Sequence, residues 1–299
     1  MGWLSLLPAG AVRTLRGFLL KQGRRMGGAG MLARSKSSAL RACMDAARHS
    51  PAYRTLLQES GINPSGIGPQ TDLTSLPVLT KANTFERFAL AQLARPLPAT
   101  TLADVLTSSG RGGSSYGFRL TAREQYEEAW FDIDLGLQDI FGVDDKPTLL
   151  VNCLPMGVVF RSRAVAVANV SVREDMACSI LRDVGPGFAQ TLLCTDPMFI
   201  RRVLDEAQAV GVDWRALGTS VILGEEVLVE TQRDYIAARM GIAIDHDPHR
   251  LVGSSFGVGE LGLNLLFETR ETIGMRRAMR GNGPLARLLC GGAAPDAMP

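Results

Sequence analysis

A run of small and cationic residues at positions 107–115 has the composition of a loop that binds phosphate. Glycine has no Cβ, so its backbone N–H group can turn inward and approach an anion closely. Serine hydroxyls can donate to the same oxygens, and a guanidinium group can pair with them. The candidate phosphate-binding residues are Ser108, Ser109, Gly110, Arg111, Gly112, Gly113 and Ser114. The alternative is a solvent-exposed surface loop, for which clusters of glycine and serine are also typical.

Two other nucleotide-binding motifs can be compared with the chain. A Walker A loop ends in Gly-Lys-Ser or Gly-Lys-Thr, and no lysine lies near residues 107–115. The dinucleotide fingerprint occurs at residues 257–262, after the strand-like residues 250–253. It also needs an acidic residue about twenty positions later to bind the ribose, whereas residues 273–280 are apolar or basic. An NAD(P)-dependent oxidoreductase therefore remains an alternative function.

The composition indicates a folded protein with a large core. Hydrophobic residues make up 46% of the 299 residues, enough for one large α/β domain or two smaller ones. The 32 basic and 30 acidic side chains nearly cancel, so the net charge gives no support for nucleic-acid binding. Five widely spaced cysteines without a close pair indicate a reducing, cytoplasmic compartment. Residues 245–249 include metal-binding residue types, but Pro248 is typical of a turn.

The N-terminus differs from the rest of the chain in charge. Residues 1–41 contain eight lysines and arginines and no acidic residue, interspersed with leucines. We predict a basic amphipathic extension at residues 1–37 and one large domain at residues 38–299. Such an extension is suited to an anionic membrane surface, to a transit peptide, or to packing on the main domain. No apolar stretch approaches the roughly twenty residues that cross a bilayer.

Short apolar runs alternate with helical patterns in the second half of the chain. The runs of strand length are residues 148–154, 190–194, 219–223 and 241–244. Helical patterns cover residues 38–49, 81–94, 121–141, 197–210 and 226–240, and a further helix starts at Ser50-Pro51. This alternation predicts an α/β fold with mainly parallel sheets flanked by helices. Ligands bind beyond the carboxyl ends of such strands, where three loops carry small or acidic residues: 108–115, 224–226 and 255–260.

Four local motifs resemble the adenylate-forming ligase superfamily, most closely its phenylacetate-coenzyme A ligase branch. The first is His49-Ser50-Pro51-Ala52-Tyr53-Arg54, followed by Gly61-Ile62, Asp72-Leu73, Leu76-Pro77 and Thr80-Lys81. The others are Ser108-Ser109-Gly110, Gly224-Glu225-Glu226 and Phe256-Gly257-Val258-Gly259-Glu260. The order and spacing of these motifs agree with the family from residue 38 to the end of the chain.

The resemblance implies the large N-terminal domain of an adenylate-forming enzyme, with the C-terminal lid domain absent. It assigns Ser108, Ser109, Gly110 and Gly113 to the ATP phosphates and Glu260 to Mg²⁺. It assigns to the nucleotide pocket Gly224, Glu225, Glu226, Phe256 and Gly257. The implied reaction activates a small-molecule carboxylic acid with ATP as an acyl-adenylate and then forms a thioester with coenzyme A. A homodimer is a further expectation.

The chain also departs from the family pattern. Residues 111–115 replace the family's Thr-Thr-Gly-Lys-Pro, and Phe256 replaces a tyrosine. The chain ends at Pro299, before the family's ribose-binding aspartate, hinge and lid lysine, so residues 38–299 are expected to be an incomplete AMP-binding domain. A catalytically inactive remnant, or a nucleotide-binding module of the same fold, is therefore the alternative to an active ligase.

Overall fold

The computed structural model describes residues 3–107, 116–155, 158–258 and 262–291. The chain divides into two compact units, Met1–Glu127 and Glu128–Pro299. The predicted N-terminal extension lies within the first unit, and its status as a separate domain stays a prediction. Within the described ranges, every helix is too short or too polar to span a lipid bilayer.

The first unit is mainly helical and carries one small sheet. A 3₁₀ turn (Trp3–Leu6) precedes helices α1 (Ala9–His49), α2 (Pro51–Glu59) and α3 (Leu90–Leu93), then strands β1 (Leu102–Thr107) and β2 (Phe118–Ala122), which are antiparallel. Gly27 interrupts α1 with a φ of 66°, which glycine adopts at little cost. The predicted helix start at Ser50-Pro51 is confirmed, because the Ser50 hydroxyl accepts from the Tyr53 amide and caps α2.

Two helix predictions near this unit are wrong in part. Residues 81–94 form turns and only the four-residue α3. Asn83 accepts from the Thr80 amide and donates to the Val78 carbonyl, and such local side-chain bonds compete with the helical ladder. The predicted helix at 121–141 is divided into the end of β2, helix α4 (Arg123–Glu128) and helix α5 (Trp130–Phe141).

The second unit is a six-stranded sheet flanked by helices. Its strands are β3 (Thr148–Asn152), β4 (Ala166–Asn169), β5 (Gln190–Thr195), β6 (Ser220–Leu223), β7 (Val252–Val258) and β8 (Gly262–Phe267). Its remaining helices are α6 (Glu174–Asp183), α7 (Ile200–Val210), α8 (Glu230–Met240), α9 (Arg270–Arg280) and α10 (Gly283–Cys290). The strand order is β4-β3-β5-β6-β7-β8, parallel throughout except for β8. The predicted α/β fold with a mainly parallel sheet is confirmed.

Helices cover both faces of this sheet. Along β3, Leu149 and Val151 pack in one core cluster with α6, α7 and α8, whereas Leu150 packs in a second cluster with α5 and α9. Strands buried on both faces read as continuous apolar runs, which is why β3, β5 and β6 could be predicted from the sequence. Cys153 and Cys194 are buried in this core, and all five cysteines of the chain are free thiols.

The predicted strand at residues 241–244 is wrong. Gly241 ends α8 with a φ of 62°, and the Ile242 amide donates back to the Ala237 carbonyl. Ile242 is buried as the apolar residue that closes a helix end, so its hydrophobicity reflects helix capping.

The interpretation of residues 257–262 as a dinucleotide-binding fingerprint is also wrong. It requires a strand followed by a helix, because the pyrophosphate binds at the helix N-terminus. Here Gly257 lies in β7 and Gly262 begins the antiparallel β8. The segment therefore connects two strands, and the oxidoreductase alternative loses its structural basis.

Candidate functional site

The carboxyl ends of three central strands meet at one edge of the sheet in the second unit. The Cys153 amide, after β3, donates to the Cys194 carbonyl of β5 at 2.7 Å. The Gly224 amide, after β6, donates to the Thr195 carbonyl at the end of β5, at 2.9 Å. The loops that follow β3, β5 and β6 therefore start side by side, where ligands of parallel α/β sheets bind.

Gly224 brings the loop after β6 against the end of β7. A Cβ at this position would lie 3.2 Å from Oγ of Ser255 and 3.7 Å from Cδ2 of Leu154. The Ser255 hydroxyl in turn donates to the Leu223 carbonyl at 3.5 Å. The loop at residues 224–226 and the described start of the segment at 255–260 are thus adjacent. The third loop, residues 108–115, and the predicted metal ligand Glu260 lie outside the described residues.

Glu225 sits in a strained turn at this edge. Its φ is 72°, a left-handed value that is uncommon for any residue except glycine. The Glu226 amide donates to the Gly224 carbonyl at 2.9 Å, which closes a three-residue γ-turn with Glu225 at its centre. Positive φ in such a turn is costly and is found preferentially at ligand sites.

Asp196, which the sequence analysis did not single out, shapes the neighbouring loop after β5. Its Oδ1 accepts from the amides of Met198 and Phe199, at 2.8 and 2.9 Å, and so caps the turn that leads into α7. The residue is buried. An aspartate followed by Pro197 directly after an apolar run is a recognisable helix-start signal.

Burial and neighbouring acidic residues act on the carboxyl group of Glu225. Glu225 is exposed to solvent, but the protein around its carboxyl group removes part of the hydration that ionisation requires. This loss of hydration raises the pKa of Glu225, and the negative charges of Asp196 and Glu226 raise it further. The surroundings of Glu225 therefore make its ionised form less favourable than it is in water.

The raised pKa predicts a pH-dependent effect of Glu225→Gln. A carboxyl whose pKa rises on folding contributes its full stability below its unfolded pKa of about 4.5, and that contribution is lost as the pH rises through the folded pKa. Glutamine cannot ionise, so we expect the variant to have a higher Tm than the unmodified chain at pH 7.5 and a smaller gain at pH 4. Thermal denaturation at both pH values measures this. The same difference in Tm at both would contradict the raised pKa.

The end of β7 supplies an exposed aromatic surface. Phe256 lies opposite Leu266 of β8, and the pairing is irregular between Phe256 and Val258. Phe256 is 46% exposed, which is unusual for a phenylalanine in a strand. Gly257, the next residue, adds no side chain. A flat apolar partner, such as a heterocyclic base, can therefore approach this end of the strand.

Asn152 organises the loop after β3. Its amide nitrogen donates to the Val158 carbonyl at 2.7 Å and to Oδ1 of Asn169 at 2.9 Å, and its Oδ1 accepts from the Leu154 amide at 3.1 Å. Asn152 is fully buried. In this loop Pro155 is half-buried and Val158 packs into the core, while residues 156 and 157 lie outside the described ranges.

The fold matches solved structures of 2-hydroxyisobutyryl-CoA ligase. One, in complex with 2-HIB-AMP and CoA in the thioesterification state, gives a TM-score of 0.61 at 15% identity over 82% of this chain and 53% of that chain. Another, in the postadenylation state with 2-HIB-AMP, gives 0.60 at 16% identity over 82% and 52%. This chain shares its fold with adenylate-forming ligases. It spans about half the length of those solved chains.

At this level of identity, the likeness concerns the fold. No protein-family model matches the sequence, and no curated protein sequence matches it. The likeness agrees with the family resemblance carried by the sequence motifs. The roles of individual residues in the adenylate-forming fold stay predictions.

The described ranges contain no group of three or more His, Cys, Asp or Glu side chains suited to a metal ion. Residues 245–249 form the turn that Pro248 indicates, in which Asp247 accepts from the His249 and Arg250 amides and pairs with the Arg250 guanidinium. Ionic and amide hydrogen bonds hold the pKa of Asp247 below its usual value even though burial opposes this.

Proposed function

We propose that this chain is the nucleotide-binding portion of an enzyme that activates a carboxylic acid with ATP and transfers the acyl group to coenzyme A. The observation that carries the proposal is the meeting of Gly224-Glu225 with Ser255-Phe256 at the carboxyl edge of a sheet with the adenylate-forming fold. Both segments belong to motifs that the family resemblance assigns to the nucleotide.

The proposed reaction has two steps. A carboxylate oxygen forms a bond to the α-phosphorus of ATP, and the bond from that phosphorus to pyrophosphate breaks. A thiolate then forms a bond to the acyl carbon, and AMP leaves. Because the first step brings anions together, it needs N–H donors and positive charge around the phosphates. In our proposal, the loop at 108–114 supplies these groups through its backbone, its hydroxyls and Arg111.

The nucleotide base is placed in our proposal between the Gly224-Glu225-Glu226 turn and Phe256-Gly257. Gly224 leaves room because it has no Cβ, and Phe256 offers an exposed ring for stacking. Proteins bind Mg²⁺ through one or two carboxylates together with substrate phosphates, and a single carboxylate fits that requirement. We propose Glu260 for this role, where the ion would neutralise phosphate charge.

The test of the proposal combines binding and exchange. Titration with ATP and with a non-hydrolysable acyl-adenylate analogue should show binding. Exchange of labelled pyrophosphate into ATP, with a panel of aromatic and aliphatic acids, tests adenylation and would identify the acid. Binding without exchange for any acid would favour the nucleotide-binding module. Failure to bind either nucleotide would overturn the proposal.

A glycine pair provides a matched variant for this test. In Gly224→Val, the new side chain would meet Ser255 and Leu154, and overpacking of this kind costs about 1–3 kcal/mol. We expect the affinity for the adenylate analogue to fall by about tenfold or more, which corresponds to about 1.4 kcal/mol. In the control Gly187→Val, a Cβ meets nothing within 4 Å, and the affinity should not change. Equal affinities in the two variants would remove Gly224 from the site.

The remaining expectations about location and assembly are proposals too. Cell fractionation tests a cytoplasmic location. Sedimentation with vesicles of phosphatidylglycerol, compared with vesicles of phosphatidylcholine, tests contact of residues 1–37 with an anionic membrane. Light scattering tests a homodimer. The panel of acids in the pyrophosphate-exchange experiment tests specificity for an aromatic acid of the phenylacetate type.

A further inference from the structure

A buried ion network lies beside the candidate site. It consists of Glu230 and Arg233 of α8, Glu268 after β8, and Arg276 of α9, each less than 9% exposed. Arg233 donates to Glu230 at 2.9 Å and to both carboxylate oxygens of Glu268 at 2.8 and 2.9 Å. Arg276 donates to Glu268 at 3.2 Å and lies 3.5 Å from Glu230. Burying charged groups costs free energy, so a network of this kind adds little net stability. Stability alone therefore does not account for its presence.

The network holds β7 just before the residues of the candidate site. The Glu268 amide donates to the Ser254 carbonyl at 2.9 Å, and the Ser254 amide donates to the Glu268 carboxylate at 2.7 Å. Strand β8 ends at Phe267, so the Glu268 side chain takes the place of the next backbone carbonyl in the ladder. Arg233 also donates to the Val252 carbonyl. Two residues of β7 are therefore fixed through charged groups immediately before Ser255 and Phe256.

The same network holds the loop after β6. Arg276 donates to the Leu228 carbonyl at 2.7 Å, four residues after Gly224. Glu230 is the first residue of α8, so its pairing with Arg233 fixes the point at which that loop enters the helix. Arg277 donates to the other oxygen of Glu230 at 3.1 Å. One connected set of ion pairs thus reaches the backbone of the loop after β6 and of β7, the two segments that meet at the candidate site.

We infer that Arg233, Glu268 and Arg276 are positioning residues of the nucleotide site, which set the Gly224–Leu228 loop and the end of β7 relative to each other. None of the three is placed against the nucleotide. They act through the backbones of Val252, Ser254 and Leu228. The inference rests on the proposed function for its effect on nucleotide binding, but the ordering of the two loops can be measured independently.

The experiment uses the double variant Arg233→Met/Glu268→Leu. Apolar side chains of similar volume often replace a buried ion pair without loss of stability, so this variant is expected to stay folded. Hydrogen exchange read by mass spectrometry should nevertheless show faster exchange of the amides in residues 224–229 and 252–258. Affinity for the adenylate analogue should fall by about tenfold or more, because a displacement of about 1 Å is enough to disrupt a preorganised site.

A second pair on the same helix provides the control. Arg239 of α8 pairs with Asp205 of α7 at 3.0 Å, away from β7. The double variant Arg239→Met/Asp205→Leu removes the same two charges, and we expect exchange in both loops and analogue affinity to stay unchanged.

The outcomes separate the inference from the proposed function. If the unmodified chain binds no nucleotide, the function fails, and the exchange measurement alone decides whether the network orders the loops. If Arg233→Met/Glu268→Leu is folded and leaves exchange in both loops unchanged, the inference is overturned. Should that double variant not fold, Glu268→Gln replaces it. This variant keeps an oxygen opposite Ser254 and loses the charge, and unchanged exchange in it would overturn the inference equally.

Discussion

Replacing Arg233 alone with methionine is expected to lower the free energy of unfolding by about 3–5 kcal/mol, since removing one partner of a buried ion pair leaves the other charge uncompensated. Arg233 has no exposed surface and donates to Glu230, to Glu268 and to the Val252 carbonyl. The substitution keeps most of the volume and removes all of these bonds. Urea denaturation followed by circular dichroism measures the change through the shift in the midpoint.

Two comparisons show whether burial is the cause. Arg202 is 67% exposed and pairs with Glu174, so Arg202→Met should cost less than about 1 kcal/mol. Adding Glu268→Leu to Arg233→Met removes the carboxylate that lost its partner, and the double variant should recover part of the stability. If Arg233→Met and Arg202→Met lower the free energy of unfolding by the same amount, the network is less buried than the structure indicates.

Replacing Asn152 with alanine is expected to cost about 3 kcal/mol. Three hydrogen bonds are lost, two of them buried and one part-buried, and each contributes about 1 kcal/mol, with a further penalty wherever the former partner stays unsatisfied. The partners are the Val158 carbonyl, Oδ1 of Asn169 and the Leu154 amide. Because Leu154 touches the position of Gly224, the loss should also loosen the candidate site. Denaturant midpoints give the first effect, and hydrogen exchange in residues 152–160 gives the second.

An exposed asparagine serves as the control for Asn152. Asn63 caps a short turn by accepting from the Ser65 amide at 3.0 Å. Loss of one exposed hydrogen bond in Asn63→Ala should cost no more than about 1 kcal/mol. A cost for Asn152→Ala within that range would show that the loop after β3 does not depend on the asparagine.

The sequence predicted those parts of the fold whose signal is local. Strands β3, β5 and β6 are buried on both faces, so their side chains are apolar without interruption. The start of α2 follows from a serine cap and a proline. Residues 241–244 show the limit of this reasoning, because an isoleucine that closes a helix end has the same hydrophobicity as one in a strand.

The candidate site was predictable to the extent that topology determines it. The loop after β6 and the end of β7 had to meet because parallel neighbours end at the same edge. The strained turn at Glu225 and the cap from Asp196 depend on backbone geometry that the sequence does not specify by itself. The ion network was missed for a different reason. Glu230 and Arg233 are three residues apart, which is also the spacing of an ordinary solvent-exposed pair on a helix.

Burial of the sheet on both faces has a consequence for how far such a chain can diverge. The core on each face of the sheet is filled by apolar side chains. Such cores tolerate many simultaneous substitutions among aliphatic residues, provided that the total volume and the hydrophobic pattern are kept. Most core residues can therefore be substituted while the fold is kept, as the 15% sequence identity to a ligase of the same fold illustrates. Amino-acid substitution is restricted at positions such as Gly224, where an added methyl group has little room. Any trace of a shared ancestor is therefore to be sought at the strand ends, in a few short segments.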